Sequence, residues 1–161
     1  MNKLIVTSNE FKDGESMPKQ SLCSRYGGID RSPSLTWVSV PNAKSYALLS
    51  YDPDLPDRSV WIHWILKYIP ATRNSLPILK PIENKYVILS NGDRLIQGFN
   101  SWDKFGWGGP CPGRNLPRVP HRYYFVIFAL DTIIDDKGNF MEQLAQHTIN
   151  RGEIYGTFLK P

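Results

Sequence analysis

The stretch SYDPDLPDRSVWIHW, residues 50–64, joins two strand-like segments through a proline-rich bend. Pro53 and Pro56 fix the backbone angle φ and lack an N–H group, so DPDLP cannot continue a β-ladder and is expected to form a stiff bend. The bend places Asp52 and Asp54 directly after one strand, and WIHW opens the next strand with a histidine between tryptophans. This stretch therefore predicts a polar site at the ends of two neighbouring strands.

The rest of the chain is also strand-rich. Its 13 prolines and 12 glycines are scattered, as in a chain of short strands with many bends. Without βαβ alternation, the pattern predicts a mainly β fold, an antiparallel β-sandwich of two packed sheets with one or a few peripheral helices, as a single domain over residues 1–161. The predicted helix is Gly138–Asn150, and the predicted strands are Lys3–Ser8, Leu35–Val38, Ser45–Tyr51, Val60–Tyr68, Tyr86–Ser90, Tyr123–Leu130 and Ile154–Leu159.

Composition narrows the class of function. The chain has 161 residues, of which 41% are hydrophobic and 21% charged, with a net charge of +4. This balance is that of a globular protein. A mildly basic protein suits an anionic ligand, whereas the lack of a lysine- and arginine-rich block argues against nucleic acid as a partner.

The chain's ends and cysteines bear on its location. The first residues turn acidic before any apolar run reaches signal-peptide length, and no run is long enough to cross a bilayer. We therefore expect a soluble cytoplasmic protein that is not transmembrane, with packaging into a particle left open. Cys23 and Cys111 lie far apart at no metal-binding spacing, so two free thiols are the simplest interpretation, and a disulfide between them stays open.

Two histidines fall in strand-like segments. Strand alternation predicts that His121 and Tyr123 share one face of PHRYYFVIFALD. Along Val60–Leu66 it predicts one face with Trp61, His63 and Ile65, and another with Ile62, Trp64 and Leu66. A buried imidazole or phenol needs a hydrogen-bond partner, which in a pocket can be a ligand. A lone core histidine is the competing interpretation of His63.

The remaining polar elements are the aspartates and a glycine-rich loop. Asp54 is expected to accept N–H groups inside the bend, which leaves Asp52 for the pocket. The loop FGWGGPCPGRNLPRVPH, residues 105–121, can offer consecutive amides to an anion. Histidines with a pKa near the ordinary value of about 6.5 would add hydrogen bonds and partial positive charge. Because Asp52 would repel a bare dianion, the ligand should carry an ammonium group, or the histidines should be protonated.

These motifs together resemble the phosphatidylethanolamine-binding proteins, also called Raf-kinase-inhibitor-like proteins. DPDLP resembles the family's DPDxP, WIHW its W-x-H-W strand, and GGPCPG…HRYYF its GPCPP…HxYxF segment. FKDGESMP, SPSLTWVSVP and EIYGTFLK also resemble family segments, so the similarity spans nearly the whole chain. The short link from DPDLP to WIHW is similar to the compact bacterial and archaeal branch.

The resemblance implies a β-sandwich with a small surface cavity for anionic head groups and a cis peptide at Leu55–Pro56. One departure is the longer segment GRNLPRVP, Gly113–Pro120, which adds two arginines that are either solvated or contacts for an anion. The implied ligand-binding residues, with these two arginines as further anion contacts, are Asp52, Trp61, His63, Trp107, Gly108, Gly109, Pro110, His121, Tyr123, Arg114 and Arg118.

The predicted function is that of a non-enzymatic binding protein. Its ligand would be a phospholipid head group, a phosphorylated small molecule or a phosphorylated side chain, and it would regulate or inhibit a protein kinase or protease; no cofactor or metal is expected. The alternative is a hydrolase or metal-dependent enzyme using Asp52, His63 and His121. Cys111 is the only evident nucleophile for the hydrolase, and a metal would need three converging ligands from these residues and Asp54.

Overall fold

The two strands that flank the DPDLP bend lie side by side in the larger of two sheets. The computed structural model describes residues 2–161, so Met1, the first residue of the predicted domain, lies outside the described part. The strands, numbered along the chain, are β1 Val6–Thr7, β2 Leu35–Trp37, β3 Ser45–Asp52, β4 Trp61–Pro70, β5 Ser75–Leu76, β6 Tyr86–Ile88, β7 Arg94–Gly98, β8 His121–Leu130 and β9 Thr148–Phe158.

All strand pairs are antiparallel. The larger sheet has six strands in the order β6-β7-β4-β3-β8-β9, and the smaller has three in the order β1-β2-β5. The predicted antiparallel two-sheet architecture is confirmed. Two short 3-10 helices, Lys19–Ser21 and Ser24–Tyr26, lie between β1 and β2, and the α-helix α1, Phe140–His147, lies between β8 and β9.

The main core lies between the two sheets. Trp37 of the small sheet packs edge-on against Tyr46 of the large sheet, with ring centroids 5.4 Å apart. A second apolar cluster covers the opposite face of the large sheet, where Leu144 of α1 packs with Leu49 and Val126. Since both faces of β3, β4 and β8 are buried, these strands are nearly continuously apolar, as expected for strands covered on both sides.

Element boundaries differ from the prediction at several places. The helix is shorter than Gly138–Asn150 because the Asn139 side chain accepts a hydrogen bond from the Glu142 N–H at its start, and because Thr148 already begins β9. Strand β9 is longer than predicted because it pairs with the whole of β8, from Leu130↔Thr148 to His121↔Phe158. The short strands β5 and β7 were not predicted. Among the described residues, no helix has the length and apolar character to cross a bilayer.

The two cysteines form a disulfide, which corrects the interpretation as free thiols. Cys23 and Cys111 are 88 positions apart in the chain, yet their Cα atoms are 5.5 Å apart. The segment of the 3-10 helices lies against the glycine-rich loop, where the Cys23 N–H donates to the Pro110 carbonyl and Trp107 Nε1 donates to the Ser21 carbonyl. The disulfide therefore fastens this loop beside the end of the large sheet.

Candidate functional site

Three adjacent strands bring their polar residues to one end of the large sheet. β3 ends at Asp52, which pairs in register with Trp61 at the start of β4. On its other side β3 pairs with β8, which starts at His121. In an antiparallel sheet, the end of one strand lies beside the start of its neighbour. The end of β3 and the starts of β4 and β8 therefore meet here, although they are distant in sequence.

A β-bulge interrupts β4 at His63. Ser50 pairs with Trp64 and Tyr51 pairs with Ile62, which leaves His63 as an extra residue on β4. A bulge interrupts strand alternation and re-aims side chains. Consequently the rings of His63 and Trp64 lie on the same side of the sheet, with centroids 5.6 and 6.5 Å from that of Trp107.

The predicted faces of β4 are therefore partly wrong. Trp61 and His63 do share a face, since both rings pack edge-on against Trp102, with centroids 5.5 and 5.1 Å away. Ile65, however, belongs to the opposite apolar cluster together with Ile62. On β8, which has no bulge near this end, the predicted pairing of His121 and Tyr123 on one face is confirmed by ring stacking, with centroids 6.4 Å apart.

His63 is a neutral histidine whose tautomer is set by a backbone carbonyl. Its Nδ1 lies 2.5 Å from the Gly108 carbonyl oxygen, and the Gly108 N–H donates back to the His63 carbonyl over 3.0 Å. A carbonyl only accepts, so Nδ1 carries the proton. Burial lowers the pKa of His63 to about 4, which keeps the ring neutral at pH 7 and leaves Nε2 as an acceptor. Nε2 has no hydrogen-bond partner among residues 2–161.

Asp52 has two roles in the structure. Its Oδ2 lies 2.6 Å from His121 Nδ1, and its Oδ1 accepts the Asp54 N–H over 2.7 Å. Asp52, not Asp54, thus satisfies the N–H inside the bend, which corrects the predicted division of roles. Asp54 instead accepts bonds from the Arg122 backbone N–H, Nε and Nη2, each at 2.8–2.9 Å. The Arg122 hydrogen bonds lower the pKa of the Asp54 carboxyl.

The bend itself contains no cis peptide, so the implied cis bond at Leu55–Pro56 is wrong; all described peptide bonds are trans. The chain reverses instead through a hydrogen bond from the Arg58 N–H to the Leu55 carbonyl, 2.9 Å long. Arg58 adopts a left-handed backbone conformation with φ of 64°. These two features give the sharp bend with a trans proline.

A cavity of about 230 Å³ opens at this end of the sheet. Four of the predicted ligand-binding residues line it, namely Asp52, Trp61, His63 and Tyr123. Burial raises the pKa of the Tyr123 phenol, so its hydroxyl stays protonated. His121 lies behind Asp52 and is 2% exposed. We call this space the inner cavity; its other lining residues are Leu55, Trp102, Cys111, Pro112, Gly113 and Leu116.

The glycine-rich loop supports the inner cavity differently from the prediction. The Gly108 and Gly109 amides already donate to the His63 carbonyl and to Asp30 Oδ1, so these two do not form a free amide nest. The glycines are needed for close packing: a Cβ at Gly108 would lie 2.3 Å from the Trp102 ring, and one at Gly109 would lie 2.1 Å from the Ser21 carbonyl. Both line a neighbouring cavity of about 240 Å³ together with Trp107.

Pro110 lines neither cavity, and its carbonyl is the acceptor for Cys23. Arg114 and Arg118 line a third cavity, which shares only Leu116 with the inner cavity. The structure thus distributes nine of the eleven predicted site residues over three cavities, whereas Pro110 and His121 line none of these three.

Sequence reasoning missed Trp102. Its ring forms a wall between the inner cavity and the neighbouring cavity that Trp107, Gly108 and Gly109 line. Asn100 positions it, because Asn100 Oδ1 accepts the N–H groups of Trp102 and Lys104 at 2.9 and 3.2 Å. An asparagine closing a turn two residues on is a recognisable local signal. The segment NSWDK could therefore have been predicted as a turn that presents a tryptophan.

The alternative chemistries find no support in the described part of the chain. Residues 2–161 contain no group of three histidine, cysteine, aspartate or glutamate side chains placed to hold a metal ion. The Cys111 sulfur is bonded to Cys23, so it is not a nucleophilic thiol in this state. The inner cavity therefore combines hydrogen-bonding groups and aromatic rings without an evident nucleophile or metal centre.

The fold and the cavity define a class: a two-sheet antiparallel β-protein with a small cavity, lined by aromatic and hydrogen-bonding groups, at one end of its larger sheet. Comparison with known proteins narrows the class. The sequence model of the family described as "Phosphatidylethanolamine-binding protein" matches residues 7–159. The chain belongs to this phosphatidylethanolamine-binding protein family.

Its relatives lie in the bacterial and archaeal branch. The chain is 40% identical to the UPF0098 protein YbcL of Escherichia coli over 160 residues, covering 97% of this chain and 85% of that protein. It is 33% identical to a UPF0098 protein of Methanothermobacter thermautotrophicus over 159 residues, covering 95% and 97%.

Solved structures of family members have the same fold as this chain. The crystal structure of E. coli YbcL, described as a member of the mammalian PEBP family, superposes with a TM-score of 0.83 at 35% identity over 99% of this chain and 100% of that chain. A PEBP homolog from Chlamydia trachomatis superposes with a TM-score of 0.79 at 31% identity over 100% of both chains.

Proposed function

We propose that the protein is a non-enzymatic binding protein whose inner cavity holds a small head group carrying both a phosphate and an ammonium, as in phosphoethanolamine. The observation that carries this proposal is the lining of the cavity: it contains the Asp52 carboxylate and the neutral His63, and none of its residues has a cationic side chain. A bare phosphate dianion would meet the carboxylate in a cavity that has no cationic side chain in its lining.

An ammonium suits the aspartate side of the cavity. Asp52 can pair with it, and His63 Nε2 can accept one of its N–H groups. The Trp61 and Trp102 rings, which pack edge to face, provide aromatic surface for a cation. Both rings line the same cavity as Asp52. These groups of the cavity therefore favour positive charge.

Donors for the phosphate also line the cavity. The Tyr123 hydroxyl is protonated, and the Cys111 and Gly113 amides have no acceptor among the described residues. Both amides belong to residues that line the cavity. Hydrogen bonds from neutral donors to an anionic oxygen are stronger than those between two neutral groups.

A finer prediction about protein partners follows from the same chemistry. A phosphorylated side chain would offer the cavity the same phosphate group, so inhibition of a protein kinase or protease would act through the mouth of the inner cavity.

The cellular compartment of the protein is also a prediction. Structural disulfides are rare in the cytosol, so the Cys23–Cys111 bond favours an oxidising compartment over the cytoplasm.

Isothermal titration calorimetry with phosphoethanolamine, inorganic phosphate and ethanolamine tests the proposal. Wild type should bind phosphoethanolamine more tightly than phosphate. Asp52→Asn should weaken phosphoethanolamine about tenfold or more, because a charge-assisted contact is lost. Asp57→Asn is the matched control, since Asp57 lies in the same bend and is exposed.

A second variant protects the test against misfolding. Trp61→Leu changes the ring surface of the cavity without touching the bonds that Asp52 makes, and it should also weaken phosphoethanolamine. Phosphate that binds wild type as tightly as phosphoethanolamine does, or an unchanged affinity in both variants, would refute the proposed ligand class.

A further inference from the structure

The third cavity, which shares only Leu116 with the inner cavity, is lined by arginines. It has a volume of about 540 Å³ and brings together Arg25, Arg114, Arg118 and Lys160. No acidic side chain lines it. We call it the arginine cavity. Its charge is thus opposite in character to that of the inner cavity, where the charged side chain is a carboxylate.

Partly buried contacts of Lys160 position the exposed Arg114 and Arg118 of this cluster. Lys160 is 8% exposed, and its Nζ donates to the carbonyls of Gly113, Arg114 and Leu116. These bonds hold the loop that carries Arg114. The Lys160 carbonyl in turn accepts a bond from Arg118 Nε over 3.0 Å, which fixes the stem of that guanidinium.

Arg25 reaches the cluster from another part of the chain. It belongs to the 3-10 helix Ser24–Tyr26, whose Tyr26 hydroxyl donates to the Pro112 carbonyl over 2.5 Å. The disulfide between Cys23 and Cys111 fastens the same two segments. The three guanidinium groups therefore come from two segments that are tied together beside the cavity.

The charges of these arginines are not neutralised within the described residues. Arg73 and Arg122 pair with Asp93 and Asp54, whereas Arg25, Arg114 and Arg118 form no salt bridge to any described residue. Guanidinium forks match the oxygens of a phosphate or sulfate in paired hydrogen bonds. With three unpaired guanidinium groups and the Lys160 charge, the cavity favours an anion of more than one negative charge.

We infer that the arginine cavity is a second, separate anion site that binds phosphate or sulfate groups, with a preference for multiply charged ligands such as a pyrophosphate or a phosphomonoester. This site goes beyond the proposed function of the inner cavity. The two cavities share Leu116 alone. The anion can be a free small molecule or the phosphate of a lipid head group, since both present the same oxygens.

Calorimetric titration of the intact protein with sodium pyrophosphate at low ionic strength tests the free-anion source. Arg114→Ala/Arg118→Ala should weaken pyrophosphate by about tenfold or more, because charged hydrogen bonds are lost. The control Lys12→Ala/Arg31→Ala removes two exposed positive charges that do not line the cavity and should keep the affinity within about twofold, since charges outside the site are screened by solvent and salt.

Sedimentation with phosphatidylcholine vesicles that contain phosphatidic acid tests the lipid source. Binding of pyrophosphate assigns the site to free anions, and arginine-dependent binding of vesicles alone assigns it to head groups; both outcomes support the site. Asp52→Asn should leave pyrophosphate binding intact, so failure of the inner cavity and failure of this site are distinguishable. Equal losses in the arginine and control variants, or no binding of either probe, would overturn the inference.

Discussion

Replacing His63 by glutamine should remove a specific part of the protein's sensitivity to acid. His63 is buried and neutral, and burial lowers its pKa from 6.5 to about 4. Glutamine can still donate to the Gly108 carbonyl that His63 Nδ1 contacts, but it does not titrate. The variant thus separates the proton-binding property of the side chain from its hydrogen bond.

The size and sign of the effect follow from proton linkage. As the pH falls through 6.5, the unfolded chain binds a proton at His63, whereas the folded protein does so only near pH 4. The contribution of neutral His63 to the free energy of unfolding is therefore complete above pH 6.5 and is lost between pH 6.5 and 4. At about 1.4 kcal/mol per pH unit, the loss amounts to about 3 kcal/mol.

Urea denaturation at several pH values from 7.5 to 4 provides the measurement. We expect wild type to lose about 3 kcal/mol more than His63→Gln over this range, with parallel curves above pH 7. His147→Gln, which changes a histidine on α1 outside the inner cavity, is the control. It shows how much of the pH dependence of the free energy of unfolding is removed by a histidine substitution elsewhere. If wild type and His63→Gln lose stability equally as the pH falls, the neutral state assigned to His63 is wrong.

Three further predictions concern the supports of the two cavities. Reducing the disulfide, or replacing both cysteines by serine, should lower the free energy of unfolding by about 4–5 kcal/mol, because the bond closes a loop of 88 positions; a loss below about 1 kcal/mol in urea denaturation would contradict this. Gly108→Ala should cost about 1–3 kcal/mol in the same assay, since its Cβ would lie 2.3 Å from the Trp102 ring; unchanged stability would argue against that close packing. Lys160→Met should leave three loop carbonyls without their charged donor and expose the loop to limited proteolysis, with a loss of about 1–3 kcal/mol; a protease-resistant loop would speak against this anchor.

Much of the large sheet could be predicted from local pattern. Proline chemistry alone placed a bend at DPDLP, and the apolar runs on either side became the central strands β3 and β4. On β8, alternation placed His121 and Tyr123 on one face because its pairing with β3 stays in register near that end. Where a strand is regular, side-chain direction can thus be read from sequence.

Contacts between distant segments could not be predicted in the same way. The sequence separation of Cys23 and Cys111 says nothing about their spatial separation, which depends on how the 3-10 helices dock on the glycine-rich loop. The partner of Asp54 is Arg122, on a strand that begins more than sixty positions later. Short strands such as β5, with two residues, also carry too little pattern to be recognised.

The bulge at His63 is another feature that depends on contacts between segments, and it affects the chemistry of the site. The sequence WIHW contains no glycine or proline that would indicate an irregular strand, and the bulge exists only relative to the register of β3. It places Trp64 on the same side of the sheet as His63, and the buried, neutral His63 ring at the Gly108 carbonyl does not supply the positive charge that its residue type suggested. In the two proposals above, a phosphate therefore finds its compensating charge elsewhere: in the ligand's own ammonium for the inner cavity, and in arginines for the arginine cavity. The proposed binding chemistry thus depends on two cavities of different charge, one lined by a carboxylate and the other by arginines.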